Sequence, residues 1–347
     1  SVSLLGIRPD EGNGQNYRYL ALECLRSHCS RELGNQVQIR AHLVDEVSMV
    51  RVAEEVSTDL PDLIAVSMPI GSVDRGVRLL RKIRAATRTL PQVLVGNLVA
   101  TNATQELLHA LPEGSWVAVG EGEESLVGVL KWLRSGHQSF PEHVPGLARL
   151  GPDGVVIRTR VQSPSGPIGG FDTEQWPSTI GRGGSALVEA SRGCVSNCSF
   201  CSSRSMHPKG WRPRPITAVL EELQALYATG VRWCFFVDDD FVGADWPRAV
   251  SLAQEIHDVL PDMTFGSSFQ ARSFQTDNDA AHLQALVQCG LRSVLIGMES
   301  GCDTQLRRYG KASTRSMALT AIRQVRCHPD VELILGFILD PLMTLEE

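Results

Sequence analysis

The chain has 347 residues, of which 43% are hydrophobic and 21% charged, which is typical of a globular protein long enough for two domains. Its formal net charge of −6 argues against a nucleic-acid partner, because binding to phosphates needs a basic face. No apolar run approaches the ~18 residues of a membrane-spanning helix. The N-terminal residues Ser1 to Ile7 resemble a first β-strand rather than a signal peptide. We therefore expect a cytoplasmic protein with no membrane or nucleic-acid partner.

Apolar strand runs and helix-period stretches alternate through residues 1–136. The predicted strands are Val2–Ile7, Val37–Val44, Leu63–Met68, Gln92–Gly96 and Trp116–Gly120. The predicted helices are Tyr17–Leu33, Met49–Val56, Val73–Ala86, Ala103–Leu111 and Glu123–Arg134. This alternation predicts an α/β domain with a parallel sheet between two layers of helices. Five short strands favour a flavodoxin-like, Rossmann-type sheet, whose ligands bind at the carboxyl ends of the strands.

Residues 137–185 interrupt the alternation and are predicted to contain a hairpin and a linker. Two short apolar runs, Leu147–Leu150 and Val155–Thr159, flank Gly151-Pro-Asp-Gly154, which is a hairpin signal. A stretch rich in Pro, Gly and Ser then extends from Ser163 to Gly184. We place the boundary between the two domains in this segment.

From residue 186 to residue 347 the alternation of strands and helices resumes. The predicted strands are Ala186–Ala190, Trp233–Val237, Thr264–Phe269, Ser293–Gly297 and Glu332–Ile338. The predicted helices are Ile216–Ala228, Trp246–Val259, Asp279–Gln288 and Arg315–Arg326. Five strand–helix steps predict a partial (β/α) barrel. The sequence stops at Glu347, soon after the fifth strand, so it need not contain the whole barrel.

Three of the nine cysteines, Cys194, Cys198 and Cys201, fall within eight residues directly after the first barrel strand. Close cysteines in a chain without a secretion signal more often bind metal than form disulfides. Three thiolates can hold three irons of a [4Fe–4S] cluster and leave the fourth iron open to a small molecule. The alternatives are three unrelated buried cysteines or a zinc site, for which His207 is the only nearby fourth ligand.

The cysteine spacing, with Phe200 before the last cysteine, resembles the signature of radical S-adenosylmethionine (SAM) enzymes. The resemblance extends from Gly193 to the end of the chain. Four further segments resemble the subgroup that carries a cobalamin-binding domain in front of the barrel: Trp211-Arg-Pro-Arg214, Phe235-Phe-Val-Asp-Asp-Asp-Phe241, Ile296-Gly-Met-Glu-Ser-Gly301 with Lys311, and Gly336-Phe-Ile-Leu-Asp-Pro341.

This resemblance implies that Cys194, Cys198 and Cys201 ligate a [4Fe–4S] cluster and that the open iron binds SAM, with its adenine at the backbone of Phe200. Residues at the strand ends would line the SAM pocket: Asp238, Asp239, Ser268, Gln270, Arg272, Glu299, Ser300 and Lys311, together with Gly336-Phe337. The residue types suit SAM, whose carboxylate needs a cation and whose ammonium and ribose need acceptors. The alternative is that some of these charges are solvated or form internal ion pairs.

Small or polar residues also follow successive strands of the front domain, where they would let a bulky ligand approach the backbone. They are Ser67, Met68, Gly71, Ser72, Gly96, Asn97, Gly120, Glu121 and Gly122. The pattern resembles cobalamin-binding domains, although Asn97 stands where glycine is usual. The Asp-x-His-x-x-Gly motif is missing, so the cobalt should receive no histidine from the Leu63–Asp74 segment. The alternative is a degenerate domain that serves as a scaffold or dimerisation unit.

The resemblance implies an enzyme in which a cluster reduced by an external electron donor, of flavodoxin or ferredoxin type, splits SAM into methionine and a 5′-deoxyadenosyl radical. With methylcobalamin nearby, the leading interpretation is a C-methyltransferase acting on an unactivated carbon of a small molecule or peptide. Cyclisation, ring contraction or another rearrangement, with or without cobalamin, is the second interpretation, and a methylthiotransferase-like enzyme lacking cobalamin belongs to it. An iron–sulfur or corrinoid carrier or sensor is the non-enzymatic alternative.

Overall fold

A computed structural model of the chain describes residues 1–8, 20–87, 91–136, 139–161 and 184–341. Contacts divide the chain into two compact units. Of the described residues, those up to Val161 belong to the first unit and those from Gly184 onward to the second. The predicted linker lies outside the described residues except for Gly184, as does the start of the first predicted helix. Within the described ranges, no helix is long and apolar enough to cross a membrane.

The first unit contains one sheet of seven strands. Its strands are β1 (Val2–Ile7), β2 (Ile39–Val44), β3 (Leu63–Ser67), β4 (Gln92–Gly96), β5 (Trp116–Ala118), β6 (Leu147–Leu150) and β7 (Val156–Arg158). They lie in the order β2-β1-β3-β4-β5-β6-β7, and the first five are parallel. The order 2-1-3-4-5 is that of flavodoxin-like folds, so the predicted fold class is confirmed.

The predicted hairpin is part of this sheet. Strands β6 and β7 pair antiparallel with each other, and β6 also pairs antiparallel with β5. The hairpin, expected to stand with the linker between the two domains, thus extends the first sheet. The physical reason is that β5 would otherwise be an open edge, and pairing with β6 satisfies its backbone groups.

Helices cover both faces of the first sheet. They are α1 (Leu20–Leu33), α2 (Met49–Asp59), α3 (Val73–Ala86), α4 (Leu98–Asn102), α5 (Thr104–Ala110) and α6 (Gly122–Arg134). Strand β1 shows why two layers form, since Leu4 packs in the apolar cluster beneath α1 and α6, whereas Leu5 packs in the cluster beneath α2 and α3. A strand buried on both faces is largely apolar, and β1, all of whose residues are buried, has Ser3 as its one polar residue.

The second unit contains a parallel sheet of five strands and a two-stranded ladder. Its strands are β8 (Ser185–Val188), β9 (Ser191–Arg192), β10 (Arg212–Pro213), β11 (Trp233–Phe236), β12 (Thr264–Gln270), β13 (Leu291–Glu299) and β14 (Glu332–Phe337). Its helices are α7 (Ser203–Met206), α8 (Ile216–Ala228), α9 (Trp246–Val259), α10 (Asp277–Gln288), α11 (Asp303–Arg308) and α12 (Arg315–Arg326). The sheet order β8-β11-β12-β13-β14 follows the chain, as in the first part of a (β/α) barrel.

A buried ion pair fixes the segment that follows β10. Arg214 donates to Glu222 over 2.7 Å, and both side chains are fully buried. Arg214 also donates to the backbone carbonyls of Glu189 and Ala218. Removing one member of such a pair leaves an uncompensated buried charge, which costs about 3–5 kcal/mol. The Trp-Arg-Pro-Arg segment is therefore built into the core through its last arginine.

Candidate functional site

The three clustered cysteines lie in the loop after β9, at the carboxyl end of β8. The loop starts with Gly193, whose φ of 78° favours glycine and whose added Cβ would collide with the carbonyl oxygen of Gly210. All three thiols are free: Cys194 and Cys198 are half-buried and Cys201 is exposed. The fold therefore presents the predicted iron ligands together in one accessible loop.

Hydrogen-bond donors point at two of the three sulfurs. The Sγ of Cys194 accepts from the Ser196 amide over 3.3 Å and from Nε2 of Gln270 over 3.1 Å. The Sγ of Cys201 accepts from the Ser203 amide over 3.5 Å. Burial raises the pKa of the Cys194 thiol, and the Ser196 amide acts in the opposite direction. Such donors stabilise a thiolate, which is the form that binds iron.

The donor set fits an iron–sulfur cluster. A [4Fe–4S] cluster binds each thiolate through a different iron, so its cysteines need not converge on one point. Among the described residues, no three Cys, His, Asp or Glu side chains are placed to hold one metal ion. Three accessible thiols in one loop, two of them with N–H donors directed at sulfur, are the chemistry that a cluster requires.

Three successive aspartates after β11 serve different neighbours. Asp238 is buried and accepts from the Ala190 amide and the Ser191 hydroxyl, each over 2.8 Å. These hydrogen bonds hold the chain in place just before the cysteine loop. Burial raises the pKa of Asp238 to about 7, whereas the two hydrogen-bond donors act in the opposite direction. Although the sequence suggests Asp238 as a SAM-pocket residue, its carboxylate is already engaged inside the protein.

The next two aspartates support the cysteine loop through neutral side chains. Asp239 is exposed and accepts from the Ser203 hydroxyl over 2.5 Å. Asp240 is fully buried and accepts from Nε2 of Gln270 over 2.5 Å. Burial raises the pKa of Asp240 to about 6, with the Gly243 amide and the Arg272 charge acting in the opposite direction. Asp240 was not among the predicted site residues, and neither were Ser196 and Ser203.

Asp238 is expected to make the stability of the protein depend on pH. Its folded-state pKa of about 7 lies above the ordinary value of 3.8, so the folded protein keeps a proton that the unfolded chain has lost. This contribution is fully present below pH 4 and is lost as the pH rises towards 7, by roughly 1.4 kcal/mol for each unit between the two pKa values. Denaturant unfolding at a series of pH values should show this decline in wild-type protein.

The matched variant is Asp238→Asn, which keeps an oxygen to accept from the Ala190 amide and cannot ionise. Its free energy of unfolding should vary less between pH 4 and 7 than that of the wild type. Equal pH dependence in the two proteins would show that Asp238 does not titrate in this range.

Charged side chains gather after β12 and β13. Arg272 lies half-buried in a 3-10 turn, and within the described ranges its guanidinium makes no hydrogen bond or ion pair. Glu299, at a left-handed φ of 63°, accepts from Nζ of Lys311 over 2.9 Å. Gly297 makes room for this pair, because an added Cβ would collide with the Glu299 carboxylate. The charges of Lys311 and Arg272 lower the pKa of the Cys198 thiol, although burial raises it more.

The remaining predicted residues of this pocket are partly engaged. Ser300 is buried and its hydroxyl accepts from the Cys302 amide over 2.9 Å. Ser268 is half-buried, and its backbone carbonyl accepts from the Phe241 amide over 3.0 Å. Gln270 contacts Cys194 and Asp240, as described above. The structure therefore brings Gln270, Arg272, Glu299 and Lys311 around the cysteines.

An aromatic contact holds the cysteine loop from the other side. Phe200 is 43% exposed and meets Tyr309 edge to face, with ring centroids 5.5 Å apart. The Tyr309 carbonyl accepts from the Ser199 amide over 2.8 Å, and its phenol donates to Asp340 over 3.1 Å. Tyr309, which sequence reasoning missed, therefore links the loop to the segment that follows β14. The ring of Phe200 remains accessible to a ligand.

In the first unit, the predicted residues after β3, β4 and β5 form one hydrogen-bonded edge. Asn97 donates to the Ser67 hydroxyl over 2.9 Å, and the Thr101 hydroxyl accepts from the Gly120 amide over 2.9 Å. The Thr101 hydroxyl also donates to the Asn97 carbonyl over 3.2 Å. Thr101, which the sequence did not single out, thus joins the ends of β4 and β5. Asn97 adopts a φ of 90°, which explains why glycine would also suit this position.

The other predicted residues of this edge divide into buried and open ones. Met68 and Ser72 are fully buried, the first packed on Gly76 and the second bonded to the Pro69 carbonyl. The side chain of Met68 therefore belongs to the core, and that of Ser72 stabilises the turn after β3. Glu121 is also buried, whereas Gly71 is exposed and Gly122 half-buried. The space beside the Cα of Gly96 is unoccupied, since an added Cβ would meet only the Cβ of Ala118, at 3.8 Å.

Comparison with known proteins identifies the second unit. Residues 188–330 match the model of the Radical SAM superfamily, and this range contains all three clustered cysteines. The second unit therefore contains a Radical SAM domain. This confirms the resemblance to radical SAM enzymes that the cysteine spacing indicated.

Two curated relatives of this chain have names that describe different reactions. An uncharacterized methyltransferase of Pyrococcus horikoshii is 30% identical over 44% of this chain and 33% of its own length. The anaerobic magnesium-protoporphyrin IX monomethyl ester cyclase of Cereibacter sphaeroides is 24% identical over 88% of this chain and 51% of its own length. The chain therefore spans a third to a half of these relatives.

Two solved structures share the fold of this chain. The cobalamin-dependent SAM radical enzyme OxsB, with aqua-cobalamin and SAM bound, has a TM-score of 0.80 and 20% identity, covering 99% of this chain and 50% of that one. The radical SAM methyltransferase TsrM of Kitasatospora setae, with cobalamin and a [4Fe–4S] cluster bound, has a TM-score of 0.76 and 18% identity, covering 96% and 66%. At this identity the likeness establishes the fold alone, a Rossmann-type sheet followed in the chain by a partial (β/α) barrel.

Proposed function

We propose that the chain binds a [4Fe–4S] cluster, SAM and cobalamin and works as a C-methyltransferase on an unactivated carbon of a small molecule or peptide. The observation that carries the proposal is the loop of three accessible thiols at the carboxyl end of a parallel sheet, with N–H donors directed at the sulfurs of Cys194 and Cys201. The cofactors of OxsB and TsrM and the methyltransferase names of TsrM and the Pyrococcus relative support it.

Different residues around the cysteines would bind different parts of SAM. Cys194, Cys198 and Cys201 are the iron ligands, and the accessible ring of Phe200 offers an apolar surface for adenine. Arg272 supplies a cation for the SAM carboxylate, and Glu299 supplies an acceptor for its ammonium. When bound, the cluster, SAM and cobalamin supply one-electron bond cleavage and a methyl group. The protein orients these groups and keeps water away from them.

The front domain would hold the cobalamin at the edge formed by Ser67, Gly96, Asn97 and Gly120. Its hydrogen bonds from Asn97 to Ser67 and from Gly120 to Thr101 fix the loops in place without occupying the space beside Gly96. The Leu63–Asp74 segment contains no histidine, so this segment would supply no histidine ligand to the cobalt.

The cluster and the cobalamin are tested together on anaerobically reconstituted protein. We expect iron binding, uptake of hydroxocobalamin, and release of 5′-deoxyadenosine from SAM under reducing conditions. With methyl-labelled SAM, the label should appear on the protein-bound corrinoid. Protein that takes up iron but no cobalamin would contradict the cobalamin part of the proposal.

A cyclase or rearrangement enzyme is the second candidate, because the Cereibacter relative, which matches 88% of this chain, is named a cyclase. Both candidates use the same cysteine loop, so the label from SAM separates them. An enzyme of the second kind would release 5′-deoxyadenosine while the corrinoid stays unlabelled.

Arg272 gives a test of the SAM site that leaves the cluster intact. In Arg272→Gln, SAM affinity should fall tenfold or more, because a lost charge-assisted hydrogen bond costs about 1.5–3 kcal/mol. Iron content should not change, since Arg272 is not a ligand. Calorimetric titration of SAM into the reconstituted protein measures the difference. Arg323→Gln, an exposed arginine on α12, is the matched control, and equal affinities in the two variants would refute the role of Arg272.

A further inference from the structure

The side chain of Gln270, at the end of β12, is 7% exposed and contacts three polar groups. Its Oε1 accepts from the Ser196 hydroxyl over 2.8 Å. Its Nε2 lies 2.5 Å from a carboxylate oxygen of Asp240 and 3.1 Å from the sulfur of Cys194. Gln270 therefore reaches a predicted iron ligand directly.

The chemistry of these partners fixes the orientation of the amide. A carboxylate and a thiolate only accept hydrogen bonds, and a side-chain amide nitrogen carries two hydrogens. One hydrogen therefore goes to Asp240 and the other to Cys194. The Ser196 hydroxyl in turn donates to the amide oxygen. Both N–H groups of Gln270 are used, and neither remains to bind SAM.

Cys194 is distinguished from the other two cysteines by this contact. Cys201 accepts from a backbone amide at 3.5 Å, and in the part of the chain that the structure describes no side chain donates to Cys198 or Cys201. A hydrogen bond from a side chain can be changed by substitution, whereas a backbone donor cannot. Gln270 is thus a position at which a substitution can remove a hydrogen bond to one of the predicted iron ligands.

We propose that Gln270 is a positioning residue of the cluster, and that its amide, held by Asp240 and Ser196, donates to the Cys194 thiolate and raises the reduction potential of the cluster. The inference rests on the proposed function, because it requires a cluster on Cys194. Reduction adds negative charge to the cluster and its sulfurs, and an N–H donor stabilises that charge. Losing the donor therefore lowers the potential.

The variant Gln270→Met keeps the length of the side chain and removes the N–H donors. We expect wild-type iron content and a midpoint potential shifted to more negative values, measured by a redox titration followed by electron paramagnetic resonance. Gln275→Met is the matched control, because the Gln275 amide donates to the carbonyls of Ala271 and Met317 and to no cysteine. The midpoint potential of the cluster in Gln275→Met should equal that in the wild type.

A second measurement tests the contact in the unaltered protein. With ¹⁵N in the glutamine side-chain amides, pulsed electron paramagnetic resonance of the reduced cluster should show a hyperfine coupling to ¹⁵N. The Gln275→Met variant should retain this coupling, and the Gln270→Met variant should lose it. An unchanged potential in an iron-replete Gln270→Met, or no ¹⁵N coupling in wild-type protein, would overturn the inference. Failure of the proposed cluster looks different, since the wild-type protein would then take up no iron, and failure of the cobalamin part leaves the cluster and its potential to be measured as before.

Discussion

Replacing Cys194, Cys198 and Cys201 together with alanine is expected to abolish iron binding and SAM cleavage. Each thiol would be the ligand of a different iron, and thiolates are the protein ligands that hold such clusters. The loop should otherwise persist, because Gly193, the Ser199–Tyr309 hydrogen bond and the Asp239–Ser203 contact do not involve the thiols. Iron analysis after anaerobic reconstitution, with chromatography of 5′-deoxyadenosine, measures both losses.

The matched control replaces three other cysteines, Cys24, Cys289 and Cys327, with alanine. These are half-buried or exposed like the loop cysteines and lie far from them in the chain. The control protein should retain its iron and its SAM cleavage. A loop variant that kept the wild-type iron content would overturn the assignment of the cluster, whatever the family of the chain.

Several strands, and the helices long enough to show an apolar period, could be predicted from the sequence almost to the residue. The bounds of β1, β4, α3, α8, α9 and α12 coincide with the predicted ones. The short elements α4, α7 and α11 were missed, because four to six residues do not complete enough turns to show a helical period. The β9–β10 ladder was missed because it pairs segments about twenty residues apart through two residues each.

The side-chain geometry of the site was harder to predict than its position. The alternation of side chains along a strand ends with β11 at Phe236, so it says nothing about which way Asp238, Asp239 and Asp240 point. Asp238 turns inward to Ala190, and Asp240, which was not predicted, turns to Gln270. A pattern of residue types identified the region, whereas the partner of each carboxylate depends on loops distant in sequence.

In the front domain, too, the position of the candidate site could be predicted from the sequence, but the direction of every side chain could not. Small residues after parallel strands predicted the edge formed by Ser67, Gly96 and Gly120. The side chain of Met68, however, belongs to the core, because the helix position opposite it is Gly76, which leaves space for a methionine. That packing could not be inferred from Met68 alone. Thr101 lies in the unpredicted helix α4, so its bond to Gly120 was missed with the helix.

Gly96→Phe is expected to prevent cobalamin binding while the cluster and SAM cleavage persist. Gly96 ends β4 with no positive φ, so a side chain costs no backbone strain there. Gly120 would be a poorer test, because its φ of 84° would strain any replacement. The phenyl ring would occupy the space beside the strand end that the corrin needs. Anaerobic uptake of hydroxocobalamin, followed by its absorption after gel filtration, measures the loss.

Gly96→Ala is the matched control, because its methyl group would meet only Ala118, at an ordinary van der Waals distance of 3.8 Å. This variant should bind cobalamin like the wild type, and all three proteins should unfold at similar temperatures. In Gly96→Phe, 5′-deoxyadenosine should still be released, whereas no label from SAM should reach a corrinoid. Full cobalamin uptake by a folded Gly96→Phe protein would show that this edge is not the corrin site. No uptake by the wild type would favour a front domain that serves only as a scaffold or dimerisation unit.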